Sequence, residues 1–476
     1  MNQVQTIFKN MSWLLASQII ASVFAFIWTI LLARYLGVND YGILGFAISL
    51  TGILNIMDDL GIGTHIVRHI ATDYDSAPKY LGNALPLKLI FASFKIIITI
   101  ILLIIMGVTK FTLTITLLFS IELTFKSYIG LLNGSFQAFE EGKYQGIGNT
   151  IMNTTTLLFI LISIYTDLEL IGVAFSYILA NIIALTYEYH VLNKHVVKPK
   201  YELDLEFCKK ITLLSLPFAA TAILYTLYYS IDVVMLGIMV GDYATGIYNA
   251  TYKLISVLTL FYGIYTAVIF PVMSRYFVDD ESMLLVSFEK SIKYLMMIII
   301  PIAVATVCYS ADIIQLIYGH EYDAASSVLI ILIWTVCLLF ISGAANTLLN
   351  ASHKEISVTK IYAAAAIFNI ILNFFMIPHF SYNGAAITTV LSDVLIVTLQ
   401  CYVIYRLGHR PNKKLYFDLT KITIGSGILG IALYLLKLNM WVALPVGIII
   451  YFAIMYLLRV FDDDDKYVIK EILGKN

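Results

Sequence analysis

A helix needs about 20 apolar residues to cross the hydrocarbon core of a bilayer. This chain supplies such runs one after another, each closed by polar or turn residues. They lie near 13–33, 41–60, 82–107, 111–132, 145–166 and 168–189, then near 211–238, 243–269, 291–310, 324–349, 357–377 and 382–405, and finally near 417–437 and 440–459. About fourteen spans result, which predicts an all-α polytopic membrane protein. Composition agrees: 60% of residues are hydrophobic and 13% charged, with mean hydropathy +0.86, where soluble domains carry about 25% charged residues. Cys208, Cys308, Cys337 and Cys401 are too scattered for a disulfide framework or a CxxC site. The first run lacks a signal-peptide cleavage site and reads as an uncleaved span behind a short amphipathic lead-in, Met1 to Ser12.

Loop charge tests the segmentation, because a wrong span count would scramble it. With the N-terminus in the cytoplasm, 23 of the 30 lysines and arginines fall in inside segments and three, Arg34, Lys110 and Lys437, fall outside. The remaining four, Lys88, Lys95, Lys126 and Lys253, lie within spans. Both termini are therefore expected in the cytoplasm, and the locale is the cytoplasmic membrane.

The two halves repeat each other. Gly37 to Ile43 matches Gly241 to Ile247 at an offset of 204, with a glycine pair five apart in each. Asn133-Gly134-Ser135 matches Asn350-Ala351-Ser352 at 217, and Gly172-Val173-Ala174 matches Gly384-Ala385-Ala386 at 212. Each half holds six spans in one orientation, which predicts two six-helix lobes related by a pseudo-two-fold axis along the membrane normal. The expected domains are 1–200, 201–406, and 407–476, the last holding two added helices and a tail.

Several stretches resemble the polysaccharide flippases of the MOP superfamily, the Wzx-type exporters of lipid-linked oligosaccharide. They include Leu32-Ala33-Arg34-Tyr35-Leu36-Gly37 leading to Tyr41-Gly42, Leu60-Gly61-Ile62-Gly63 leading to Arg68, and Asp232 to Gly237. Phe270-Pro271-Val272-Met273-Ser274, Ile317-Tyr318-Gly319 before Tyr322, and Asn369 to Asn373 leading to Ile377-Pro378 follow in order. The resemblance covers nearly the whole chain. It implies two lobes facing a central cavity and alternating access that carries an amphiphilic substrate between leaflets.

Each ionisable group inside a span costs about 2.5–3.5 kcal/mol on insertion scales, so it calls for a cavity, a partner or a route to the interface. Lys95, Glu122, Lys126, Asp232, Lys253 and Asp393 lie near mid-span. Asp58, Asp59, Lys88 and Glu188 lie near cytoplasmic ends, where snorkelling is the simplest reading. Lys88 and Lys95 share one helix face with no acid three or four residues away, which suits a cavity wall facing an anion. Glu122 and Lys126 are placed to pair with each other or to serve transport. Asp232 and Lys253 pair, or else Lys253 faces phosphate while Asp232 binds a proton or sodium ion. Asp232 aligns with Trp28 in the repeat and is peculiar to the second half, whereas Asp393 aligns with Asn181 and favours an interhelical hydrogen bond.

For a phosphate-linked glycan, the expected phosphate-facing cations are Lys88, Lys95, Lys126 and Lys253, with Arg34 and Arg68 as second-rank positions matching the family pattern. Tyr225, Tyr228, Tyr229 and Tyr252 are the glycan-facing aromatics, against a plain interfacial or packing role. No resident cofactor, metal or nucleic acid is expected. The expected partners are the lipid-linked oligosaccharide, membrane lipid and other polysaccharide-assembly proteins, with a sodium or proton gradient as the driving force. Gly425-Ser426-Gly427-Ile428-Leu429-Gly430 fits the dinucleotide-binding letter pattern but lies within a span, where close helix packing explains it. His65 and His69 lack a third metal ligand, and the acidic run Asp462 to Asp465 reads as a solvated tail. A cation-coupled exporter of small amphiphiles is the nearest rival. A membrane glycosyltransferase or ligase ranks below it, since the loops offer no place for a catalytic constellation.

Overall fold

The computed structural model describes residues 3–279 and 281–461; the acidic run at 462–465 lies outside them. The helices are α1 (Gln3–Leu54), α2 (Ile56–Asp59), α3 (Ile62–Ile70), α4 (Ala77–Met106), α5 (Lys110–Ala138), α6 (Gly142–Tyr165), α7 (Glu169–Val191), α8 (Leu205–Met239), α9 (Asp242–Ser256) and α10 (Thr259–Asp279). They continue as α11 (Glu281–Cys308), α12 (Ser310–Tyr318), α13 (Ala325–Ala351), α14 (Glu355–Arg406), α15 (Lys413–Leu436) and α16 (Met440–Leu457). No strand occurs among the described residues. Side-chain caps start several helices: Thr109 accepts from Thr112 N at 3.1 Å and Asp204 from Phe207 N at 3.0 Å.

Eleven helices among the described residues are long and apolar enough to cross a membrane, or twelve if the bent pair Asp242–Gly263 and Val268–Phe277 is one span. Two of them, α1 and α14, have 52 residues each. A continuous helix of that length would extend about 78 Å, far beyond a core of about 30 Å, so each must serve as two spans. Each is broken near its middle, α1 at Gly37 (φ 69°, ψ 176°) and α14 at Ser381 (φ 51°, ψ −134°). Divided there, the set is consistent with the fourteen spans expected.

By packing, the chain divides into two compact units, Met1–Ala250 with Asn373–Tyr382, and Thr251–Leu372 with Asn383–Asn476. This partition follows backbone proximity and is distinct from the repeat halves.

Within the first unit, α1 packs on α5, α6 and α8, and α7 packs on α5 and α6. A buried apolar cluster joins Ile62, Ile66 and Ile70 of α3 to Leu81 and Ala84 of α4, and to Leu132 and Phe136 of α5. The first pair of matched repeat motifs meets here. Gly37 and Gly241 both adopt positive φ, 69° and 117°, a region that side chains other than glycine avoid. Four residues past the first motif's glycine-valine pair, a Cβ on Gly42 would stand 1.9 Å from the carbonyl oxygen of Asp242. Reciprocally, a Cβ on Gly246 would stand 2.0 Å from that of Val38. The offset of 204 maps Val38 onto Asp242 and Gly42 onto Gly246, so the contact is two-fold symmetric, glycine against backbone on both sides.

Within the second unit, α11 packs against α13 and α15, and α15 against α16. Lys293 of α11 pairs with Asp418 of α15 at 3.3 Å, both buried, and the Tyr451 hydroxyl of α16 donates to the Met297 carbonyl at 2.8 Å. A Cβ on Gly425 would meet Met455 Cε at 2.1 Å and one on Gly430 would meet Val304 Cγ1 at 2.6 Å. Helix packing therefore accounts for Gly425 and Gly430, while Gly427 faces open space. An apolar cavity of about 450 Å³ lies among α11, α15 and α16, lined by Met297, Pro301, Leu429, Leu433 and Tyr451.

The snorkelling expectation fails for three of its four residues. Lys88, Asp58 and Glu188 are buried inside the first unit. Long side chains reach for the interface only when no partner lies closer, and Lys88 and Asp58 find theirs within the bundle.

Candidate functional site

The second span of the first unit ends with α2, and α3 lies beyond it. After α2, Leu60 (φ 43°) and Gly61 (φ 77°) turn left-handed and the helix restarts as α3. The Asp59 carboxylate accepts from Gly63 N at 3.3 Å, tying the restarted helix to the end of α2. Broken membrane helices are tolerated where the freed backbone lines a cavity.

A cavity of about 680 Å³ lies there, lined by α1, the α2–α3 break, α5 and α8. Its ionisable lining is Asp59, Arg68 and Lys126, with Asn55, Thr64, Ser127, Gln137 and Thr226 as neutral polar groups. Arg68 and Lys126 are exposed, and neither makes an ion pair among the described residues. Glycines 52, 61, 63, 130 and 134, with Ile56, Val67 and Ala222, complete the wall, the glycines keeping it wide and leaving backbone accessible. Such a wall presents two free cations, a helix start and hydrogen-bonding groups, which suits a bulky polar anion.

Lys88 stands directly behind this wall. Its ammonium donates to Asp59 Oδ1 at 2.6 Å and to Ser127 Oγ at 2.7 Å, two residues that themselves face the cavity. Asp59 is 36% exposed against 1% for Lys88. Two of the three ammonium donors are used, and one remains. Lys95, two turns on, donates to Asp58 Oδ2 at 2.5 Å, to the Ser120 carbonyl at 3.0 Å and to Thr124 Oγ1 at 3.0 Å. All three donors are committed, both partners of the pair are at most 1% exposed, and Lys95 does not line the cavity. The shared stripe of Lys88 and Lys95 does face anions: they are the chain's own adjacent carboxylates, Asp58 and Asp59.

The remaining residues separate. Glu122 is buried and accepts from Asn181 Nδ2 at 2.6 Å, while Lys126, one turn away, turns to the cavity. Asn181 thus makes an interhelical hydrogen bond of the kind expected for its repeat position. Asp232 is buried and accepts from the Tyr248 hydroxyl at 2.7 Å and from Asn373 Nδ2 at 2.5 Å. Tyr225 and Tyr229 pack with ring centroids 4.6 Å apart and Tyr228 crosses Tyr229 edge-on at 5.2 Å. These tyrosines lie on α8 just beyond Ala222 and Thr226 of the cavity wall. Arg34 is exposed on α1 away from this cavity. Lys253, Tyr252 and Asp393 belong to the second unit, Lys253 exposed and the other two half-buried.

Outside the spans, His65 packs on His69 with ring centroids 4.6 Å apart, and His69 stacks on Tyr80. Burial, then the neighbouring His69 and Arg68, hold the His65 imidazole below its ordinary pKa.

Sequence reasoning missed Asp58 and Asp59 as counter-ions because it sought partners one turn away. The true partners are 37 and 29 residues distant. It also missed the neutral polar wall, for which the only sequence signal is the glycine-rich break itself.

Comparison with known proteins places this geometry. Residues 7–277 match the family model described as polysaccharide biosynthesis protein, and residues 237–455 match the one described as lipid II flippase MurJ. The capsular polysaccharide biosynthesis protein CapF of Staphylococcus aureus is 24% identical over 84% of this chain and 99% of that protein. The probable low-salt glycan biosynthesis flippase Agl15 of Haloferax volcanii is 24% identical over 87% of this chain and 88% of that protein. Among solved structures, lipid II flippase MurJ in an inward closed conformation superposes with TM-score 0.79 at 15% identity, covering 94% of this chain and 98% of that one. A multidrug resistance MATE transporter of the MOP superfamily superposes at 0.69 and 14%, covering 82% and 95%.

Proposed function

The chain belongs to the polysaccharide biosynthesis protein family, and from that premise we propose that it is a MOP-superfamily flippase that carries lipid-linked oligosaccharide across the cytoplasmic membrane by alternating access. It is a transporter and performs no bond chemistry on its cargo. The observation that carries the reading is the cavity at the α2–α3 break, where Arg68 and Lys126, neither in an ion pair among the described residues, outnumber Asp59 in a wall of glycine, neutral polar and apolar groups.

A diphosphate-linked glycan brings two needs to such a cavity. Its phosphates are matched by Arg68 and Lys126, with Lys88 in reserve behind Asp59, and its sugars by the amide and hydroxyl groups of the wall. A volume near 680 Å³ accommodates a sugar-diphosphate head group, and the lipid tail stays in hydrocarbon. The lobes 1–200 and 201–406 exchange access from side to side, and the helices of 407–476 extend the second. Both termini lie in the cytoplasm, consistent with the charge bias of the loops. Other polysaccharide-assembly proteins supply and consume the cargo. Ion coupling is assigned first to Asp232, with Glu122 and Asp393 secondary, and draws on a sodium or proton gradient.

The rival, gradient-driven efflux of cationic drugs, needs a cavity dominated by acids and aromatics. Free cations in the wall oppose it. The experiment is flipping of a fluorescent polyprenyl-diphosphate-linked oligosaccharide in proteoliposomes. Flipping that Arg68→Ala and Lys126→Ala together abolish supports the proposal. Efflux of a cationic amphiphile with no flipping of the labelled lipid overturns it.

A further inference from the structure

Glu188 lies on the last turn but one of α7 and is fully buried. Neither carboxylate oxygen has a hydrogen-bond partner among the described residues, and no cation pairs with it. This separates it from the other buried acids of the first unit: Asp58 has Lys95, Glu122 has Asn181, and Asp232 has Tyr248 and Asn373.

The pocket for this side chain is built by glycine. Gly142, Gly146 and Gly148 are all buried on α6, and Gly148 is the one that meets Glu188. A Cβ on Gly148 would fall 2.2 Å from Glu188 Oε1, so only glycine there lets the carboxyl lie flat on the helix. The titratable groups around it come from three elements. Tyr187 precedes it on α7 and interacts electrostatically with both Glu188 and Tyr144 of α6. From the turn after α7, exposed His195 stacks on Tyr144 with ring centroids 5.9 Å apart. From α5, Leu132 and Phe136 share an apolar cluster with Val191 and Leu192 at the end of α7. Tyr144 lies one turn before Gly148 on α6, so the exposed His195 ring stacks about one turn from an acid that no cation neutralises among the described residues.

An ionised carboxylate held this way would carry the full cost of a buried, unsolvated charge, and such a group binds a proton instead. We propose that Glu188 is a proton-binding site of the first unit, carried as the neutral acid against Gly148, exchanging its proton at the surface where His195 is exposed, and setting the transport rate by its occupancy. The link to rate rests on the flippase reading; the proton site itself does not.

Infrared difference spectroscopy of the full chain in liposomes across a pH series reads the site directly. A carbonyl stretch of a protonated carboxylic acid that titrates with pH is expected, absent from Glu188→Gln and from Glu188→Met. Both variants keep a neutral side chain, so loss of the band with normal folding cannot come from unfolding. A band unchanged in the two variants overturns the site. Flipping of the fluorescent polyprenyl-diphosphate-linked oligosaccharide reads the coupling: a single titrating group changes the wild-type rate up to roughly tenfold per pH unit beyond its midpoint, and both variants should stay flat within about twofold. Variants that lose the band yet keep the wild-type pH profile make the proton purely structural and overturn the coupling. A wild type that flips nothing removes the flippase reading, and the band alone then decides the proton site.

Discussion

Lys95 and Asp58 hold each other at 2.5 Å inside the first unit, both essentially without solvent exposure, and Lys95 spends its other two donors on Ser120 and Thr124. Seven residues earlier, Lys88 holds Asp59 at the cavity edge. Two adjacent acids therefore sort two lysines of one helix face, one into the core and one behind the cavity wall.

Removing one member of the buried pair leaves an uncompensated charge. Lys95→Ala should destabilise the protein by about 3–5 kcal/mol, and Lys95→Met combined with Asp58→Leu should recover most of it. Thermal unfolding in detergent measures this. Equal loss in the single and double variants would show that the lysine contributes packing and not charge balance.

At the cavity the outcome differs, because Arg68 and Lys126 are exposed to it and make no ion pair among the described residues. Each charge-assisted contact to phosphate contributes about 1.5–3 kcal/mol, so Arg68→Ala or Lys126→Ala should slow flipping roughly 10- to 100-fold with little change in thermal stability. Lys88→Ala should lower both, since it also frees Asp59.

The symmetric backbone contact offers a steric test. Gly42→Ala places a methyl group against the Asp242 carbonyl, which cannot swing aside as a side chain would. A loss of about 1–3 kcal/mol is expected by thermal unfolding. Gly427→Ala, with nothing within 4 Å of the added carbon, should be neutral or stabilising by up to about 1 kcal/mol.

Asp232 accepts hydrogen bonds from Tyr248 and Asn373, and its buried carboxyl is the group assigned to ion coupling. Asp232→Asn should keep downhill flipping within about threefold while losing stimulation by a sodium or proton gradient. Vesicle flipping with and without each gradient checks it; undiminished stimulation would move coupling elsewhere.

His65 is buried outside the spans, its Nε2 has no partner, and its pKa is lowered by burial, then by His69 and Arg68. The folded chain thus binds this proton less readily than the unfolded chain. Its contribution is fully present above the unfolded histidine value of about 6.5 and is lost as pH falls through the lower folded value. Unfolding temperature should drop on acidification, and drop less in His65→Gln.

The sequence by itself determined the solvent, the helical class, the span pattern and the internal repeat. Each depends on composition over a window of about 20 residues or on glycines at fixed spacing, which are local properties. It also singled out Lys88, Lys95, Arg68, Lys126 and Asp232 as intramembrane or span-end charges worth explaining. Only the tertiary structure decided what each one faces. Lys95 and Lys126 are equivalent in sequence terms, a lysine in an apolar run, yet one is sealed on Asp58 and the other lines a cavity. The difference is set by packing partners dozens of residues away. For Glu188 the same holds: a span-end acid looks bound for the interface until Gly148 of α6 closes over it.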